Sequence, residues 1–148
     1  MIKLSENFVL NEFFVSADYP EVANNMRVPL YILENIQILV TSLLQPIRSY
    51  IDESIDILSG IRTYQLNHLV KGADSSDHMI GAAADITSDK IYNNTTKIAE
   101  EIKAMGLPYR QLIFYPNERF IHVSINTENK LYKCEFKHYK DGIYSLVA

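Results

Sequence analysis

The chain has 148 residues, 47% of them hydrophobic and 22% charged, with 14 Lys+Arg against 18 Asp+Glu for a formal net charge of -4. That length suits one domain spanning residues 1–148, and that balance describes a folded chain with a compact core, not a disordered or fibrous one. The negative balance gives no electrostatic support for tight sequence-independent binding to nucleic acid or to an anionic membrane surface, so neither is expected as a partner.

Cys134 is the sole cysteine, which excludes an intramolecular disulfide and leaves histidine and carboxylate as the donors for any metal. Met1 to Asn7 lacks the apolar run and small-residue cleavage site of a secretory signal, so synthesis in the cytoplasm is expected. Gln37, Thr41, Ser42 and Gln45 interrupt the longest apolar stretch, so no membrane span is expected. The oligomeric state is left open.

In chain order, Leu33, Ile36, Val40, Leu43, Leu44 and Ile47 repeat at helical spacing and predict a helix over Leu30 to Ile47, started by Pro29 and kinked or tightened near its end by Pro46. Ile55 and Ile57 ahead of Ser59-Gly60 predict a short strand entering a turn. Thr63 to Val70 is expected to be helical, Ala73 to Asp77 a loop, and Ala82 to Ile86 a buried strand whose small side chains admit neighbouring backbone. Asn94, Thr95 or Thr96 can cap a helix running to Met105, stopped by Gly106 and Pro108. Gln111 to Phe114, Phe120 to Ile125, Leu131 to Tyr139 and Ile143 to Val147 then predict antiparallel strands joined by short turns. Helices in the first half and hairpins in the second favour α+β over α/β.

His78 and Asp85 are the first residues that point to chemistry. His78 follows a loop of small and polar residues, Ser75-Ser76-Asp77, and Asp85 interrupts an apolar segment, where an unpaired carboxylate is costly unless a cation or hydrogen bonds satisfy it. Imidazole and carboxylate together suit zinc. His122 lies in Phe120 to Ser124, whose alternation puts Phe120, His122 and Ser124 on one face. His68 and His138 fall in a helical segment and beside Lys137 near a strand end, and read as ordinary histidines.

The stretch Ser76-Asp77-His78-Met79-Ile80-Gly81-Ala82-Ala83-Ala84-Asp85 resembles the Ser-x-His-x-x-Gly-x-Ala-x-Asp signature of the zinc D-alanyl-D-alanine carboxypeptidase and endopeptidase family, the M15 type that includes many phage endolysin domains. Leu44-Gln45-Pro46-Ile47-Arg48, Ser59-Gly60-Ile61-Arg62, Gln111-Leu112-Ile113 and Phe120-Ile121-His122-Val123-Ser124 flank it in the family's order. The resemblance implies a hedgehog-like α+β fold with a mainly antiparallel sheet flanked by helices, and one zinc per chain on His78, Asp85 and His122. It further implies a peptidoglycan stem peptide as substrate. By the same resemblance Arg62 lines the site, where it would hold a substrate carboxylate or a developing oxyanion, and Ser76 would donate to substrate.

In close relatives a glutamate follows Gln-Leu-Ile by one residue and serves as general base. Here that place is held by Tyr115, and Glu118 lies in the turn Pro116 to Arg119. Either Glu118 takes over as base, or Tyr115 orients the water or the oxyanion through its hydroxyl. Three functions stand on these residues: an active zinc D,D-peptidase, a zinc-stabilised wall-binding module without turnover, and a structural domain. An active peptidase would reach the cell wall after phage lysis or by another export route.

Overall fold

A computed structural model describes all of residues 1–148. After a 3-10 turn at Leu10–Phe13 and the short helix α1 (Pro20–Asn24), the chain enters α2 (Leu30–Leu39), passes through a π turn at Val40–Leu44 and leaves as α3 (Gln45–Ile51). The helix is therefore continuous from Leu30 to Ile51, longer than the sequence pattern indicates. Its irregularity has a local cause. Pro46 has no N–H to give to the preceding turn, and the ladder widens there so that Gln45 N–H donates to Val40 O.

By length and composition alone this 22-residue helix could cross a bilayer. Its apolar stripe is instead used internally: Ile36, Leu39, Val40, Leu43, Leu44 and Ile47 all belong to one core cluster of 28 buried residues.

The elements that follow are β1 (Asp56–Ser59), α4 (Tyr64–Leu69), a 3-10 turn at Asp77–Ile80, β2 (Ala83–Thr87), α5 (Asp89–Asn93), α6 (Thr95–Ala104), β3 (Tyr109–Tyr115), β4 (Phe120–Ile125), β5 (Glu135–Lys140) and β6 (Ile143–Leu146). Thr63, expected inside the helix, stands just ahead of it and caps α4 by accepting from Leu66 N–H, and Gly106 ends α6 at φ +69. Several sequence expectations are corrected. The side chain of Asn94 makes no cap bond, and Thr95 donates back to Ile91 O because α5 precedes α6 with almost no break. Leu131 to Cys134 is not strand, and β5 begins only at Glu135.

The strands form one six-stranded sheet in the order β1-β2-β4-β3-β5-β6. Every neighbouring pair is antiparallel except β3 and β5, which run parallel, so the segment after β4 crosses over instead of turning back as a hairpin. The result is an α+β fold with a mostly antiparallel sheet.

Register makes this sheet two-faced. Ala84, Val123, Leu112 and Phe136 lie opposite one another across β2, β4, β3 and β5, with Ile86, Ile121 and Phe114 in the next row, and all of these join the core. Helix α2 packs near β4 and α6 lies on β3 and β4. The alternate residues point away from the helices: Asp85, His122, Ile113 and Lys137 form one lateral row, and Ser124, Gln111 and Glu135 form the row beside it. One face thus holds the fold together and the other is free for chemistry.

Gly81 fixes how the turn before β2 meets the long helix. Its φ is +71, and a Cβ there would stand 2.5 Å from Ile32 O, so a side chain is excluded by both backbone conformation and space.

Candidate active site

His78, Asp85 and His122 come from three different elements and meet on the free face of the sheet. One donor atom from each lies within 4.8 Å of the others. Ser76 caps the 3-10 turn that carries His78, accepting from His78 N–H, while Asp85 and His122 are register partners on β2 and β4. The His122 ring donates from Nδ1 to Asp85 Oδ1 at 2.8 Å, and His78 Nε2 stands 3.3 Å from the same oxygen.

His78 is oriented from behind. Its Nδ1 lies 2.7 Å from Gly60 O and must be the protonated nitrogen, because a carbonyl can only accept. Nε2 is then left with its lone pair, buried and without a hydrogen-bond partner. An orphaned acceptor beside a carboxylate and a second imidazole is what a metal ligand set presents before it is filled, and its cost in a folded protein calls for an explanation. Burial drives the His78 pKa down, with Asp85 opposing, so the ring stays neutral and available for coordination. For Asp85, burial alone would raise the pKa, but the two imidazoles beside it, with the Nδ1–H of His122 donating to its carboxylate, outweigh burial and hold the carboxyl well below the usual range.

Arg62 reaches the same cluster. Its Nε donates to Ser59 Oγ at 3.1 Å, Nη1 to Asn67 Oδ1 at 3.3 Å, and Nη2 lies 3.6 Å from Asp85 Oδ2. Gly72 makes room for this cradle, since a Cβ there would fall 2.1 Å from Asn67 Oδ1 and 2.8 Å from Arg62 Nη1. Burial lowers the Arg62 pKa while Asp85 raises it, and the guanidinium remains charged.

These residues open into a cavity of about 800 Å³ lined also by Ser76, Asp77, Gln111, Ile113, Tyr115 and Tyr144. Tyr115 stacks on Phe120 with ring centroids 4.2 Å apart, and its hydroxyl lies 3.1 Å from that of Tyr144. Burial first, and then the Tyr144 hydroxyl, push its pKa upwards, so the phenol stays protonated.

Of the residues singled out in the sequence, the structure brings together His78, Asp85, His122, Arg62, Ser76 and Tyr115 around this cavity. It does not bring Glu118, which is exposed in the turn between β3 and β4 and absent from the lining. The carboxylates that do line it are Asp77 and Asp85. His68 stacks on Tyr64 in α4, and the His138 ring packs 5.1 Å from Phe114, both away from the cavity.

A family profile described as peptidase M15 matches residues 6–124. The chain belongs to the peptidase M15 family. No curated protein matches it. Membership of peptidase M15 supports a metal-dependent peptidase, and the His-Asp-His set, with its unpartnered His78 Nε2, could hold the metal.

Sequence reasoning missed three parts of this M15 site. Asp77 is buried and paired with Arg110 at 3.3 Å and Lys130 at 2.6 Å, which anchors the turn carrying His78 to β3 and to the segment after β4. Asn67 orients Arg62, and Tyr144 and Lys137 reach the cavity from strands that lie beyond the matched region. Arg110, Lys130, Lys137 and Tyr144 are brought in by chain crossings far away in sequence, so local sequence held no signal for them, whereas Asn67 is only five residues from Arg62 and reaches it from α4.

Proposed function

We propose that this protein hydrolyses peptide bonds next to D-alanine in bacterial cell-wall stem peptides, as a zinc carboxypeptidase or endopeptidase of the D-alanyl-D-alanine type. The observation that carries the reading is the buried, unpartnered Nε2 of His78, aimed at Asp85 and flanked by His122. His78, Asp85 and His122 would hold one zinc per chain, which there would polarise the scissile carbonyl and activate the attacking water.

The remaining roles belong to this chain's own groups. Arg62 has five N–H donors and its bonds to Ser59, Asn67 and Asp85 leave others to spare, so a substrate carboxylate can be gripped without releasing its supports. Tyr115, held protonated, can donate to a carbonyl oxygen as negative charge develops on it, and cannot act as a base near neutral pH. Ser76 is engaged in capping the His78 turn and keeps its hydroxyl proton for a substrate acceptor. The cell wall is the place of action proposed with this chemistry, reached after phage-driven release or by another route of export.

One observation favours a second reading, a zinc-stabilised wall-binding module of weak or no turnover. Glu118 is solvent-exposed outside the cavity, and the carboxylates inside are committed, Asp77 to Arg110 and Lys130 and Asp85 to the histidines. Incubating zinc-loaded protein with a D-alanyl-D-alanine pentapeptide and with cross-linked muropeptides decides between them. Release of D-alanine or of cleaved muropeptide supports the peptidase. Saturable binding with no product over many hours supports the module, and neither binding nor product removes both.

A further inference from the structure

The charge around the cavity is opposite in sign to that of the whole chain. Arg62, Lys71, Arg110, Lys130, Lys133 and Lys137 line it, while the carboxylates set against them are Asp77, Asp85 and, just outside the lining, Glu135. Arg110 and Lys130 share Asp77, and Lys133 and Lys137 share Glu135 at 3.6 and 3.3 Å. Cationic charge is therefore left over on a protein whose formal net charge is -4. A concave wall of one sign focuses its field into the cleft and draws in ligands of the opposite sign.

Register locates the surplus. Lys137 occupies the lateral row of Asp85, His122 and Ile113, two strands beyond His122. Neighbouring strands are about 4.8 Å apart, so Lys137 stands roughly 10 Å from His122 across the open face. An extended peptide advances about 3.4 Å per residue, so that gap corresponds to roughly three residues of bound substrate, fewer once the lysine stem reaches inward. Lys133 and Lys137 both lie after residue 124, beyond the part of the chain that matches the family, so this wall is supplied by the segment that crosses over to β5.

We propose that Lys133 and Lys137 form a second anion subsite that holds a free carboxylate of the substrate two to three residues from the bond placed at His122. The cleft would then select peptides that carry at least two free carboxylates, one for Arg62 and one for this wall. The proposal rests on the peptide-binding reading of the same cavity, and it names a specificity determinant that is separate from the metal ligands. Glu135 serves as the counter-charge that holds both lysine heads towards the open face in the absence of ligand.

The test is equilibrium binding with the full-length chain, read by calorimetry in parallel with product analysis. The probes are pentapeptides ending in D-alanyl-D-alanine, in which each of the first three residues in turn is glutamate or glutamine. In the parent, one glutamate position is expected to bind about tenfold more tightly than its glutamine counterpart, with the preference shrinking as salt rises. Lys133→Gln/Lys137→Gln should bring that ratio within twofold of unity, Lys137→Arg should retain it, and Lys97→Gln, which removes one positive charge at an exposed site on α6, should leave it untouched. Both lysines are partly exposed, so their loss does not threaten the fold, and unchanged melting checks this. A ratio near one in the parent at every position, or one that survives in the double variant, overturns the subsite. Charge-selective binding without any product sinks the peptidase reading and leaves the subsite standing, whereas hydrolysis with equal affinities for each pair does the reverse.

Discussion

Asp77→Asn tests how the His78 turn is held, because it removes a charge without removing volume. The Asp77 side chain is 5% exposed and sits between Arg110 Nε at 3.3 Å and Lys130 Nζ at 2.6 Å. Arg110 is itself buried at 8%, so the variant leaves a guanidinium out of water without a counter-ion, a situation that costs about 3 to 5 kcal/mol. Lys130, at 21%, can swing its head into solvent and adds little. A net loss of about 3 kcal/mol is expected, a large share of the 5 to 15 kcal/mol that stabilises a typical domain. Urea unfolding monitored by circular dichroism measures it, and the midpoint should fall with an unchanged slope. Because Asp77 directly precedes His78 and its carbonyl accepts from Ala82 N–H, zinc affinity should weaken as well, by about tenfold. Replacing the partner too, as Asp77→Asn/Arg110→Met, removes the stranded charge and should recover a good part of the stability. A single variant within 0.5 kcal/mol of the parent, or a double variant no better than the single, would refute the reasoning.

Zinc at a free concentration of 100 times its dissociation constant should stabilise the folded chain by about 2.7 kcal/mol and raise the melting temperature by roughly 5 to 10 °C, reversed by chelation; no shift, with no zinc found on elemental analysis, counts against the ligand set. Arg62→Ala should lower turnover of substrates with a free terminal carboxylate by about tenfold or more while zinc content stays at one per chain, since Arg62 contacts Asp85 but is not itself a donor; equal activity would remove it from the mechanism. Glu118→Gln should leave turnover within about twofold of the parent, against the 10²- to 10⁴-fold loss of a general base, and a loss of that size would show that the turn closes over the cavity during the reaction. The Tyr115 pKa is raised in the folded state, so its contribution to stability is complete below the unfolded value of about 10 and declines as pH rises beyond it. Unfolding measured between pH 9 and 11.5 should therefore show a steeper alkaline loss in the parent than in Tyr115→Phe, and identical profiles would contradict the shift.

Where the information was local, the sequence carried it. The helical repeat from Leu30 onward, the strand alternation of Phe120–Ile125 and the Gly106 stop each depend on residues within one or two turns of one another. His78 and Asp85 were readable for the same reason, being seven positions apart, and His122 entered through the resemblance that placed a matching histidine downstream. The tertiary structure alone decided which strand lies beside which. The parallel pairing of β5 with β3 cannot be inferred from alternation, because period-two patterning reveals which residues share a face of a strand and nothing about its neighbour or direction. That pairing brings Lys137 and Tyr144 to the cavity, and chain crossings of similar length join Asp77 to Arg110 and Lys130. Glu118 shows the converse. Four residues from His122 in sequence, it is carried away from the cavity by the turn between β3 and β4, because proximity along a chain does not determine the direction in which a turn projects its side chains.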